Sequence, residues 1–145
     1  MMNKKCLYCY QLLEADENDF HEKCSKDFFG SSKIPDLPYS YQQMSELAKD
    51  VVFQNIAVAG VQPKLSLSLI NETANKEAGR LTVIGALGGN YIFKPPSDQY
   101  PEMPKNEHLT MRIAEAFGIP VVKSSLIRLK SGELSYITKR IDRTD

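Results

Sequence analysis

The sequence predicts an α+β fold: a small, mostly antiparallel sheet with one main covering helix, preceded by a cysteine-rich knuckle and a short helix. Three observations carry this. All three cysteines fall in the first 24 of 145 residues. From residue 53 onward apolar residues recur at period two in short runs broken by glycine and proline. A single strongly helical run, Asn106 to Phe117, interrupts those strands.

The knuckle comes first. Cys6-Leu-Tyr-Cys9 and His21-Glu-Lys-Cys24 give the spacing C-x2-C-x11-H-x2-C, using every cysteine and one of two histidines. Two close pairs joined by a loop are what tetrahedral zinc requires, each pair spanning one side of the ion. Four protein ligands leave no open position, so such a site is structural, and its binding free energy folds a segment too short to fold alone. The competing reading is a set of reduced thiols. An odd, clustered cysteine count with no readable secretion signal argues against a disulfide framework. His108 stays outside the ligand set, as an ordinary histidine at a helix surface or core edge.

Residues 30–39, rich in Gly, Ser and Pro, read as a linker. Ser40 and Gln43 form a capping box, followed by Tyr41, Met44, Leu47, Ala48 and Val51 at helical spacing, so a helix is expected over 41–51. Ile56, Val58, Leu65, Leu67 and Leu69 predict two strands joined by a glycine-containing bend, Ala59-Gly-Val-Gln-Pro-Lys64. Residues 71–80 are a polar loop. Leu81 to Ile84 and Tyr91 to Phe93 are expected as a hairpin around the turn residues Gly85 to Asn90. The helix from Asn106 stops at Gly118 and Pro120, with Glu107 in its first turn. Val121–Leu129 and Leu134–Ile141 make a second hairpin around Lys130 to Glu133. Ser66 and Ser68 are expected to face solvent.

Eighteen basic residues balance eighteen acidic ones, so bulk electrostatics favour neither nucleic acid nor an anionic membrane. There is no apolar run long enough for a transmembrane helix. Any anion chemistry is therefore local, and Lys94 is its candidate. It ends a strand and is followed by Pro95 and Pro96. A lysine there either snorkels to water or is held to meet an anion. A glycine bend that offers backbone amides, a lysine on a neighbouring strand and a glutamate on the next helix together describe a phosphate-binding lobe.

Four segments add wording to that order: Ala57-Val-Ala-Gly-Val-Gln-Pro-Lys-Leu-Ser-Leu67, Tyr91-Ile-Phe-Lys-Pro-Pro96, Asn106-Glu-His-Leu-Thr-Met111 and Lys139-Arg-Ile-Asp-Arg143. In this order they resemble successive motifs of the HipA family, the kinase toxins of bacterial toxin–antitoxin modules, from about residue 40 to the end. The resemblance implies a Ser/Thr kinase whose N-terminal lobe occupies 40–145, after a knuckle at 1–30 and a linker at 31–39. It implies that Ala59, Gly60, Val61, Gln62, Pro63 and Lys64 form the phosphate loop, that Lys94 contacts the ATP phosphates with Glu107 supporting it, and that Lys139 to Ile141 approach the adenine hinge. ATP and magnesium are the implied cofactors, with structural zinc from the knuckle. Implied partners are a helix-turn-helix antitoxin, a separate small protein in place of an N-terminal subdomain, as in the short HipT-like architecture, and an aminoacyl-tRNA synthetase as substrate. The implied location is the bacterial cytoplasm.

The family's catalytic aspartate, its asparagine partner and the metal-binding aspartate belong to a second lobe that is not in these residues. The 145 residues alone are therefore expected to be inactive, as a piece of a longer kinase or with that lobe supplied by another chain. The alternative is a non-catalytic, zinc-containing interaction module derived from a kinase lobe. Family members are often switched off by phosphorylation of serines at the glycine loop; Ala57 and Ala59 stand at the nearest positions here.

Overall fold

The computed structural model describes residues 4–54, 65–70, 79–85, 89–96 and 99–140. Three helices and five strands follow in the order α1 (Glu22–Phe29), α2 (Tyr41–Gln54), β1 (Leu65–Ile70), β2 (Arg80–Gly85), β3 (Tyr91–Lys94), α3 (Met103–Ala116), β4 (Ser124–Arg128) and β5 (Leu134–Lys139). The α+β class expected from the sequence is the observed one. The first expected strand, around Ile56 and Val58, lies outside the described residues.

A turn tied by Cys6 N–H to the Gln11 carbonyl (2.8 Å) and Tyr10 N–H to the Cys6 carbonyl (3.0 Å) opens the chain. Helix α1, which the periodicity did not announce, follows from one buried face of Cys24, Ser25, Phe28 and Phe29. Gly30, at φ 83°, ends it by donating to the Lys26 carbonyl, the left-handed closure that glycine permits without a Cβ penalty. The Ser40–Gln43 box is formed reciprocally: Ser40 N–H donates to Gln43 Oε1 (2.8 Å) and Gln43 N–H to Ser40 Oγ (3.2 Å). Helix α2 then buries Met44 and Ala48.

All strand pairs are antiparallel, in the order β2-β1-β3-β5-β4. The expected hairpin of residues 81–84 with 91–93 is therefore corrected, because β1 lies between β2 and β3 and pairs with both. Gly85 stands opposite Ser66 and Tyr91 opposite Leu67, on the two sides of β1. Asn90 N–H donates to the Leu67 carbonyl (2.9 Å), and a Cβ on Gly89, at φ 74°, would sit 2.4 Å from that same oxygen. The glycines between β2 and β3 thus include one that serves a crossing rather than a two-strand turn. The β4–β5 hairpin is as expected, closed by Leu129 N–H on the Glu133 carbonyl (2.8 Å).

Helix α3 begins at Met103, earlier than Asn106, because Pro104 sits in its first turn, where a missing N–H costs nothing. Glu107 is consequently not a first-turn carboxylate, and helix-dipole stabilisation does not account for it.

Alternation assigns two faces to the sheet. Leu65, Leu67, Tyr91, Phe93 and Ile137 share one face by register and join Phe28, Phe29, Leu37 and Met44 in a single core with Cys6 and Cys24. Phe28 is fully buried among the rings of Tyr8, Phe29 and Tyr91, worth roughly 2–3 kcal/mol of transfer free energy. Residues 31–39 are a strap across this assembly. Leu81 N–H donates to the Asp36 carbonyl (2.9 Å) and Lys130 N–H to the Tyr39 carbonyl (3.0 Å), tying β2 at one side to the β4–β5 turn at the other. The knuckle caps β4: Leu126 N–H (3.1 Å) and Ser125 Oγ (3.2 Å) both donate to the Leu7 carbonyl.

Candidate functional site

Cys6, Cys9, His21 and Cys24 place one ligand atom each within 4.8 Å of one another. Cys9 Sγ lies 3.5 Å and Cys24 Sγ 3.6 Å from His21 Nδ1. With zinc bonds of about 2.3 Å to sulfur and about 2.0 Å to nitrogen, a tetrahedral edge between S and N is about 3.5 Å, so these separations fit an ion at the centre. His21 Nε2–H donates to the Leu12 carbonyl (2.9 Å), which turns the Nδ1 lone pair toward the sulfurs, the usual outer contact of a ligating imidazole. Burial and then the negative charge of Cys6 push the Cys24 thiol up to about 12. Three sulfurs this close do not all ionise unless a cation joins them, and three thiolates with one imidazole suit a soft or borderline ion such as zinc. The four residues could hold such a metal in a closed site.

The other face of the sheet carries Lys94. Strand β3 ends there because neither Pro95 nor Pro96 can donate to the ladder. The Lys94 ammonium donates to Glu107 Oε2 of α3 at 3.1 Å and stands 5.7 Å from the centre of the Tyr136 ring. About 29% of the Lys94 side chain and 27% of Glu107 remain exposed, so the pair is ordered yet open to a ligand. An ion pair this accessible contributes at most about 1 kcal/mol to stability.

Register extends the face. Lys94 is opposite Tyr136 and Ile92 opposite Thr138, while Ile92 is also opposite Ser66 on β1. Arg140 Nη1 donates to Ser66 Oγ at 3.4 Å. Ser66 is buried, correcting the expectation of a solvent-facing serine: β1 is an interior strand, and Arg140 lies over this position. Arg140 falls within the stretch expected near the hinge, whereas Ile92, Tyr136 and Thr138 were not singled out; the alternation of β3 and β5, once their pairing is known, places these three on the Lys94 face.

Lys139 is not brought to Lys94. It pairs in register with Tyr91 and so belongs to the opposite face, on the side of Asp27. The Asp27 carboxyl is held below its ordinary range by the Tyr8 hydroxyl (2.6 Å), by Lys123 (3.1 Å) and by the charge of Lys139. Residues Ala59, Gly60, Val61, Gln62, Pro63 and Lys64, and Ile141, lie outside the described residues.

His108, the residue after Glu107, is fully buried rather than at a surface or core edge. Burial lowers it to about 4, so the ring is neutral. Its Nε2–H donates to the Tyr8 carbonyl (3.1 Å), and the Ser124 hydroxyl donates to Nδ1 (3.2 Å), which fixes the tautomer. The edge of Tyr10 closes the pocket, with ring centres 4.9 Å apart.

Comparison with known proteins adds three findings. Residues 56–145 match the family model described as the HipA-like C-terminal domain. A Haemophilus influenzae protein named "Putative kinase" is 32% identical over 116 residues, covering 75% of this chain and 30% of its own length. A Sinorhizobium fredii protein named "Putative kinase Y4dM" is 37% identical over 100 residues, covering 61% of this chain and 24% of its own length. The chain thus spans less than a third of either relative.

Proposed function

Because the chain belongs to the HipA-like family, we propose that its sheet and α3 form the ATP-phosphate-binding lobe of a Ser/Thr protein kinase. The observation that carries this reading is the Lys94–Glu107 pair, a partly exposed ammonium held by a helix carboxylate at the end of a central strand. Phosphoryl transfer is mostly positioning and charge stabilisation, and a lysine oriented by a glutamate supplies a fixed cation for the phosphates. Ile92 and Thr138, half-buried on the Lys94 face, would floor the base. Because Lys139 turns to the other face, any hinge contact of that residue would come from its backbone. We assign residues 59–64 to the phosphate loop on the motif alone.

The catalytic base and the carboxylates that place magnesium are assigned to the part of the relatives' length that this chain does not span. Zinc in the Cys6, Cys9, His21, Cys24 site would be structural, fixing the loop that packs on β4. Family resemblance further suggests the toxin of a toxin–antitoxin module in the bacterial cytoplasm, restrained by a helix-turn-helix protein, acting on an aminoacyl-tRNA synthetase and accompanied by a separate small subdomain-like protein.

The test is Lys94→Met in the full-length protein. Phosphotransfer from MgATP is expected to fall by roughly two orders of magnitude or more with the thermal midpoint nearly unchanged. Undiminished transfer would remove Lys94 from the site.

A further inference from the structure

The metal knuckle and the Lys94 face lie on different parts of the lobe, yet one continuous set of contacts joins them. Tyr8 stands between the ligands Cys6 and Cys9, and its N–H lies 3.5 Å from Cys6 Sγ. Its carbonyl accepts from His108 Nε2–H, and its hydroxyl is anchored on Asp27. His108 is the neighbour of Glu107 on α3, which holds Lys94. Both ring nitrogens of His108 are used, one toward the knuckle and one toward Ser124 of β4, at a side chain with no exposure to water. No other residue in the first two turns of α3 is both fully buried and hydrogen-bonded through its side chain to the knuckle, among the described residues.

We propose that His108 is a positioning residue: it clamps α3 to the metal-organised loop at Tyr8 and thereby sets where Glu107 presents its carboxylate to Lys94. The proposal rests on the reading of Lys94 and Glu107 as the anion-contact pair. Its physical content is specific. The loop's own hydrogen bonds hold Tyr8 in place, and a metal joining the two cysteines would stiffen its carbonyl further, so the helix would take part of its seat from the ion. The His108 end of this hydrogen bond is fully buried and the Tyr8 end half-buried, so removing the donor takes the imidazole partner from the Tyr8 carbonyl and loosens that turn of the helix. Coupling of this kind is reciprocal, so loosening α3 must also loosen the metal.

The experiment compares zinc-loaded full chain with His108→Gln, whose amide keeps a donor near the Nε2 position, and His108→Leu, which keeps the bulk and loses both polar contacts. Cobalt-substituted samples report through their thiolate absorption that the four ligands are intact in each variant. Amide hydrogen exchange is then followed for residues 104–111, with β3 and β5 as internal references, and zinc release to a chromophoric chelator is timed. The expected result is about ten-fold faster exchange in that part of α3, and faster zinc release, in His108→Leu, with His108→Gln close to wild type. Unchanged α3 exchange in His108→Leu overturns the proposal. So does acceleration of β3 and β5 by the same factor, which would make His108 a core filler and nothing more. No nucleotide enters these measurements. Failure of the chain to bind MgATP would count against the proposed function and leave the clamp standing, whereas loss of the clamp leaves the Lys94→Met test untouched.

Discussion

The knuckle and the Lys94 face are both polar constellations, but they are held by opposite means. The knuckle draws its four side chains from the stretch Cys6 to Cys24 and closes them on one another, with Cys6 and Cys24 buried and Cys9 and His21 half-buried. The Lys94 face draws on β1, β3, α3 and β5, and its central ion pair stays more than a quarter exposed. In the first, the interaction energy is committed to folding. In the second, most of the Coulomb energy is lost to solvent screening, and the ammonium keeps capacity for another anion. A site that stabilises its own fold and a site that waits for a ligand are distinguished here by exposure, not by the number of charges.

Removing the metal should break this contrast most visibly. Structural zinc in small Cys/His sites binds with roughly 10 kcal/mol or more, comparable to the whole stability of a domain this size. Elemental analysis should give one zinc per chain, and a Cys6→Ser/Cys9→Ser variant should lose both the metal and cooperative thermal unfolding. Metal-free protein with an unchanged melting curve would move the knuckle out of the fold's energetics.

Acid is the next largest perturbation. His108 titrates near 6.5 when unfolded and at about 4 when folded, so between those values the unfolded chain binds more protons and stability must fall as pH falls. The window runs from pH 6.5 down to about 4, and the loss amounts to at most about 3 kcal/mol. Denaturant unfolding of wild type against His108→Gln isolates it, because zinc loss at low pH is common to both. Equal pH profiles would mean that the imidazole is not the group sensing acid.

Gly89→Ala tests the crossing over β1. The added methyl would meet the Leu67 carbonyl oxygen at 2.4 Å on a backbone already at positive φ, and a loss of about 2 kcal/mol is expected in equilibrium unfolding. A neutral result would mean that Gly89 does not hold this close approach. Glu107→Gln completes the series with the smallest effect on stability, within about 1 kcal/mol, because the pair is exposed. Phosphotransfer in the full-length protein should nonetheless fall clearly, and a variant that loses stability but keeps activity would reverse the contrast between the two regions.

Features that depend on near neighbours were legible in the sequence. The C-x2-C-x11-H-x2-C spacing, the Ser40–Gln43 box and the stop at Gly118 each need only a few adjacent residues to be interpreted, and each is present in the structure. Pairings set by distant chain were not legible. Leu81 to Ile84 and Tyr91 to Phe93 carry the signals of a hairpin, and nothing local says that β1 inserts between them. Ser66 alternates like a solvent-facing residue and is buried because Arg140, 74 residues away, lies over it. His108 looked ordinary on its own helix, since its partners Tyr8 and Ser124 come from opposite ends of the chain. Lys94 and Glu107 are intermediate. Family motifs selected them, while the register of β3 against β5 separates Lys94 from Lys139.

The two bonds that β4 gives to Leu7 have a further consequence. β4 is the last strand of the sheet, and its outward backbone would otherwise present a free N–H at Leu126 to any passing chain. The knuckle occupies that edge, so an ion held by its four side chains would also help shield the sheet from pairing with another molecule. Metal starvation would then act on solubility as well as on folding: a chain without an ion there would bare a strand edge and offer a template for its own association.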